Sequence, residues 1–200
     1  MSKVYAIRND YTKYQDLDLL LHDVTRHAPD EVGFDEINNF SLTNLKMASW
    51  WVTPSTSFDT NAGFEDVEIP DISQWDRGTL ILSPKAYRLL GDILKTDSDG
   101  EFLPVDVEGE TFYIFNCFVF GEEKSVKFDH YDGKPIDLVE LTFTQEATEN
   151  LLLKSKSQNC VTLFCNDRFK SIVHSFDLKG VNFDDNLLLP SLSSMINEEE

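Results

Sequence analysis

The sequence predicts an α+β fold: a mixed, mainly antiparallel sheet with two or more short amphipathic helices. Three observations carry that expectation. Between residues 79 and 183, apolar or alternating runs recur, several of them separated by tight-turn pairs. Two segments in the same span open on a capping residue and continue at helical spacing. The first third of the chain has neither pattern and holds an excess of acids.

In chain order, residues 3–8 (KVYAIR) read as a short strand and 16–25 (DLDLLLHDVT) as one or two helical turns. Residues 41–52 open on Ser41, a residue suited to an N-cap, and end in β-favouring aromatics. The Ser, Thr, Asn, Gly and Pro of 53–64 read as loop. Residues 79–82 (TLIL) are a short apolar strand. Ser83 and Pro84 then start a helix: the hydroxyl can accept an orphan N–H, and proline at the first helical position gives up no hydrogen bond. That helix is expected to run to about Lys95, with Ala86, Leu89, Leu90, Ile93 and Leu94 on its apolar face.

The turn at 97–100 leads to an alternating strand at 101–107, a hairpin turn at Glu108-Gly109 and a strand at 111–120. The last, TFYIFNCFVF, is apolar on both faces and belongs in the centre of a covered sheet. Asp132-Gly133 marks another tight turn, followed by a strand at 136–143. Residues 147–156 read two ways, as a helix begun by Thr144 or as a strand at 151–156 paired across 157–159 with 161–165. The short connection favours the strand. Asn166 caps a second helix over 167–176, Gly180 stops it, and 181–183 is a final short strand. The segments TLILSPKAYRLLGDILK and TLFCNDRFKSIVHSF share the order strand, cap, helix, a unit too common to establish a duplication. The expected organisation is an irregular acidic subdomain over 1–65, an α+β scaffold over 66–185 and an acidic tail over 186–200.

Charge narrows the function classes. The chain has 36 Asp and Glu against 17 Lys and Arg, a formal net charge of −19, which repels nucleic acid and anionic membrane surfaces. Its 41% apolar content, with 15 Phe, 6 Tyr and 3 Trp, is too high for a disordered acidic chain. Residues 9–76 hold 14 acids and 3 bases, so 11 of the 19 net negative charges lie there. No signal-peptide pattern opens the chain, and no window of ~18 apolar residues occurs. Cys117, Cys160 and Cys165 lack CxxC spacing and are expected to be free thiols in a reducing compartment, so a cytoplasmic location is expected.

No catalytic or cofactor constellation emerges. His22 and His27 are five apart, which fits neither a helix face nor strand alternation, and no HExxH occurs. Cys160 and Cys165, also five apart, would point to opposite faces of one strand. Segment 97–108 places acids at calcium-loop positions one, three, five and twelve, but Phe102 stands where the loop needs glycine and Pro104 stiffens the middle. There is no GxSxG, no Walker loop and no GxGxxG. The expectation is a non-enzyme with no cofactor and no metal. The remaining feature is an aromatic and acidic interleaving: Trp50, Trp51, Phe58, Phe64 and Trp75 among Asp59, Glu65, Asp66, Glu68, Asp71 and Asp76. It reads either as the edge of a core with a solvated acidic face, or as a docking surface with aromatic anchors and carboxylates that steer a basic partner.

Three stretches resemble immunity protein family 11 of the bacterial polymorphic-toxin systems: PDISQWDRGTLILSPKAYRLL, EFLPVDVEGETFYIFN and CVTLFCNDRFKSIVHSFDLKGVNF. The likeness covers about 66–185, with a looser match at YAIRND. It departs at the charged FGEEKSVKFDH and leaves the acidic 9–65 region poorly covered. The resemblance implies a non-catalytic protein that binds and neutralises a cognate, cytoplasm-acting toxin with a basic site. The alternative is another acidic interaction protein, either a nucleic-acid mimic or an effector adaptor or chaperone. The docking residues expected on this reading are Trp50, Trp51, Asp59, Glu65, Asp66, Glu68, Asp71, Trp75 and Asp76.

Overall fold

The computed structural model describes residues 3–60, 67–94 and 98–189. The chain runs through strands β1 (Val4–Asn9) and β2 (Asp16–Leu17), then short helices α1 (Leu21–Thr25), α2 (Phe34–Asn38) and α3 (Phe40–Thr43). Strands β3 (Ser55–Thr56), β4 (Phe58–Asp59), β5 (Ile72–Ser73) and β6 (Thr79–Leu82) lead into helix α4 (Pro84–Leu90). Two hairpins follow: β7 (Gly100–Val107) with β8 (Glu110–Cys117), and β9 (Glu123–Tyr131) with β10 (Lys134–Phe143). Strands β11 (Leu152–Lys154) and β12 (Leu163–Asn166), helix α5 (Asp167–Ser175) and strand β13 (Val181–Asp184) complete the described chain.

Two sheets organise these elements. One has the order β3-β7-β8-β6-β5, antiparallel except for the short β3·β7 pair, and the other is the antiparallel β11-β12-β1-β13. The period of two along each strand assigns residues to cores. Leu80, Leu82, Phe115 and Cys117 from the first sheet meet Tyr5, Ile7, Leu163 and Cys165 from the second in a central core, with Ala86 and Leu90 of α4 and Phe169 and Val173 of α5. The alternate residues Ile81, Leu103, Val105, Phe112 and Ile114 turn outward and are covered by Leu17, Leu19, Val24, Phe40 and Met47. On the far side of the second sheet, Val4, Ala6, Leu153 and Phe164 are covered by Leu141 and Phe143 of β10. Both sheets are therefore apolar on both faces, which is why strand β8 reads as a continuous apolar run.

Local chemistry explains the element ends. Ser83 Oγ accepts from the N–H of Ala86 at 3.1 Å, and Asn166 Oδ1 from that of Phe169 at 3.0 Å. Both are N-caps of the expected kind. Both expected hairpin turns have two consecutive positive-φ residues, Glu108 and Gly109, then Asp132 and Gly133, as two-residue hairpin loops require. Gly180 has φ +121°, and a Cβ there would stand 2.1 Å from the Ile72 carbonyl oxygen, so only glycine fits.

Several boundaries differ from expectation. Helix α4 ends at Leu90 rather than near Lys95, and the following residues form a turn in which Leu94 still reaches the central core. Segment 16–25 splits into β2 and α1, because Asp16 and Leu17 pair with Asp59 and Phe58. That pairing also makes strand of part of the expected loop at 53–64. Ser41 lies inside α3 rather than capping it. The central strand ends at Cys117, and 147–156 combines a 3₁₀ turn at Ala147–Glu149 with β11, which pairs with β12 in the expected antiparallel sense. Strand β9 was not anticipated.

Candidate docking face

The acidic N-terminal layer covers the outer face of the five-stranded sheet, and buried polar side chains hold it there. The Glu101 carboxylate, on β7, accepts from the backbone N–H groups of Met47 (2.8 Å) and Ala48 (3.0 Å) and from Asn116 Nδ2 (3.0 Å). Asn116 Nδ2 also donates to the Leu45 carbonyl at 3.1 Å. Asn44 Nδ2 donates to the Phe118 carbonyl at 2.7 Å. Lys154 is fully buried, and its Nζ donates to the carbonyl and hydroxyl of Ser41. Burial drives the Lys154 pKa below the ordinary lysine value. An irregular segment leaves many backbone groups without ladder partners, and these side chains supply them.

The aromatic residues expected to dock also pack the layer onto the sheet. Trp50, Trp51, Phe58 and Trp75 are partly buried and pack on the same core cluster. Trp51 Nε1 donates to the Pro104 carbonyl at 2.8 Å and Trp75 Nε1 to that of Leu19 at 2.5 Å. Asp71 is likewise committed to the scaffold. Its carboxylate pairs with Lys85 at 2.8 Å and accepts from the Lys179 N–H at 3.1 Å, tying β5 to α4 and to the turn before β13. Asp76 Oδ1 accepts from the Arg77 N–H within its own turn. Asp59 and Glu68 are exposed, whereas Glu65 and Asp66, like Phe64, lie outside the described residues.

What the layer exposes is a different set. Phe34, at the start of α2, is 76% exposed, and Leu20 is 66% exposed. Asp30, Glu31, Asp35 and Glu36 flank Phe34 and are exposed, and no Lys or Arg occurs from 28 to 45. Val32 and Ile37, on either side, are packed against the core and present Phe34 outward. None of these four acids has an ion-pair partner among the described residues, in contrast to Asp23, which pairs with Arg26 at 2.7 Å. Asp16 stands directly opposite Asp59 in the β2·β4 pair, an arrangement that destabilises a sheet. Burial pushes the Asp16 pKa up, with the Leu17 N–H opposing. A groove of about 430 Å³ is lined by Asp18, Asp23, Arg26, His27, Ser55 and Thr56. The signal for Phe34 in the sequence is the run GFDE: a large apolar side chain between a glycine and two acids, with no periodic partner.

All three cysteines are buried, and burial raises their pKa values, Cys117 to about 11, so none presents a thiolate. Among the described residues no group of three or more His, Cys, Asp or Glu side chains is placed to hold a metal ion. No helix among them is long and apolar enough to cross a membrane. No protein-family model matches the sequence, and no curated protein matches it.

Proposed function

We propose that this chain is a non-catalytic binding protein that docks its acidic outer layer on a basic partner, and that the partner is the cognate toxin of a bacterial polymorphic-toxin system, neutralised in the cytoplasm. The observation that carries the reading is Phe34, exposed among four carboxylates with no cation partner among the described residues. A single exposed aromatic is ordinary on a protein surface; what marks Phe34 is the set of four carboxylates around it, unpaired among the described residues, which favours a complementary basic surface. The carboxylates steer a basic partner inward, and Phe34 supplies contact area on arrival. Uncompensated repulsion between Asp16 and Asp59 adds to the attraction for a cation.

Co-expression tests this reading. A toxin frame adjacent to this gene, induced alone, is expected to stop growth, and growth is expected to return when this protein is present. A harmless neighbour, or killing that persists in the presence of the protein, overturns the proposal. Equal rescue from unrelated basic nucleases also overturns it, because that outcome marks generic polyanion mimicry rather than cognate pairing.

A further inference from the structure

We propose that the distal half of the β9–β10 hairpin is a self-association surface that pairs with the same ribbon of a second copy of this chain. The proposal is independent of the toxin-binding reading and concerns the opposite end of the molecule from Phe34's layer.

The hairpin is seated only at its base. Val126, Leu138, Leu141 and Phe143 pack on the outer core of the four-stranded sheet. The Glu123 carboxylate accepts from Ser155 Oγ (2.6 Å), Ser157 N (3.1 Å) and Ser157 Oγ (2.6 Å). Beyond that seat every residue from 127 to 136 is exposed, yet the strands remain paired out to Tyr131 and Lys134. No third strand joins the ribbon among the described residues. A two-stranded ribbon is marginally stable in water by itself, and its free edges are templates for further pairing.

Two features make a second copy the occupant. The first is where the apolar side chains fall. Strand β10 has register shifts between Pro135 and Asp137 and between Leu138 and Glu140, so Ile136 and Val139 are the bulged residues without a cross-strand partner. Bulges re-aim side chains, and exposed edges are usually blunted with charge. Here both bulged residues are β-branched and apolar, and Ile136 is 58% exposed, with Tyr131 at 75% beside the turn. The second feature is charge. Residues 127–139, the span that carries Tyr131, Ile136 and Val139, hold Lys127 and Lys134 against Asp129, Asp132 and Asp137, a balance of −1 in a chain of net charge −19. Two such chains repel over most of their surfaces, and the hairpin end is where they can approach. The ribbon is also self-complementary: Asp129 and Asp137 oppose each other as like charges within one copy, and Lys134 has no ion-pair partner among the described residues. A two-fold arrangement sets Lys134 of each copy against the aspartates of the other, with Tyr131, Ile136 and Val139 covered between them.

Sedimentation velocity on the full chain, up to about 200 µM, tests the proposal. The wild type is expected to sediment as a concentration-dependent dimer of twice the 22.9 kDa chain mass. Ile136→Lys with Val139→Lys is expected to weaken the dimer at least tenfold and leave the circular-dichroism melt of the monomer unchanged. Phe34→Asp is expected to leave the dimer intact. A wild type that stays monomeric throughout overturns the proposal, as does a double variant that dimerises as tightly as wild type. Loss of the dimer in Phe34→Asp overturns it by moving the contact to the other face. If the double variant melts early, Tyr131→Lys, at the solvent-exposed turn, gives the same reading without touching the bulges.

Discussion

The acidic layer and the hairpin cover the outer faces of the two sheets, and different forces hold them there. The layer has strands of only two residues and short helices, so the scaffold must satisfy many of its backbone groups through buried side chains such as Glu101, Asn116 and Lys154. The hairpin carries its own ladder from Glu123 to Phe143 and needs little more than an apolar seat. A segment with a high density of one charge cannot fold back on itself readily, because its side chains repel. It is laid instead on the apolar outer face of the five-stranded sheet and pinned there by hydrogen bonds to buried side chains. The hairpin, where three lysines are interspersed among five acids, can form a regular ribbon and extend beyond its seat.

The largest effect that would break this comparison is expected from Glu101→Ala. The substitution leaves the N–H groups of Met47 and Ala48 and part of the Asn116 amide unpaired in a buried site. At about 1–3 kcal/mol for each unsatisfied buried group, a loss of about 4 kcal/mol is expected. Urea denaturation measures the total, and hydrogen exchange locates it: amides in 16–59 should lose protection while those of 123–143 keep theirs. Uniform loss across both regions would mean that the layer and the hairpin are not separately held.

The same contrast explains what the sequence made legible. Strands β6, β7, β8 and β12 lie between two cores and show as apolar or alternating runs, and the caps at Ser83 and Asn166 show as local chemistry. Strand β9 was invisible because its outer half buries nothing: EKSVKFDHY has no apolar period, and its pairing with β10 is all that makes it a strand. The two-residue strands are too short to carry any period. The aromatic and acidic interleaving reads as core edge or as docking surface; the tryptophans pack at the edge of the core, and Trp51 and Trp75 are held there by their indole N–H groups. No composition argument could separate those readings, since both require aromatics among acids. Phe34 was missed because a single exposed side chain has no pattern.

Lys154 offers a smaller and more selective break. It sits where the layer meets β11, fully buried, with the Phe120 ring 4.7 Å from its Nζ and no carboxylate paired to it among the described residues. Lys154→Met removes a buried charge but orphans the Ser41 carbonyl. These are opposing contributions of about 1–3 kcal/mol each, so the net change at neutral pH is expected to be small. The pH dependence is more telling. Below the lowered folded value both states hold the proton, and the native state bears the full burial cost. Between that value and the ordinary 10.5 the native lysine is neutral while the unfolded one still binds a proton, so stability rises with pH in that window. The raised thiol values of Cys117, Cys160 and Cys165 act in the opposite direction above 9, because the unfolded thiols ionise first. The difference between wild type and Lys154→Met isolates the lysine below pH 9, where the thiols stay protonated in both states; above it Cys117 and Cys160, which feel the Lys154 charge, contribute as well. The difference is expected to increase through the lysine window, measured by urea unfolding at closely spaced pH values. A flat difference would show that Lys154 is hydrated in the folded state.

The smallest effect on stability, and the sharpest on function, is expected from replacing the four carboxylates around Phe34: Asp30→Asn, Glu31→Gln, Asp35→Asn and Glu36→Gln together. All four are exposed and without ion-pair partners among the described residues, so folding stability should change by no more than about 0.5 kcal/mol, and relief of self-repulsion should make the change favourable. Association with a basic partner should slow by about tenfold at low salt, and the salt dependence of the rate should flatten, because long-range steering is the part of binding that screening removes. Dissociation should change little, since rim charges act mainly on the approach. Phe34→Ala should do the reverse, leaving the salt slope intact and speeding dissociation, because an apolar anchor contributes only after contact. Stopped-flow binding across a salt series distinguishes the two variants. If the fourfold neutral variant keeps the wild-type rate and slope, the basic partner meets the molecule elsewhere, and the pair Asp16 and Asp59 on the β2·β4 ribbon becomes the next acidic surface to neutralise.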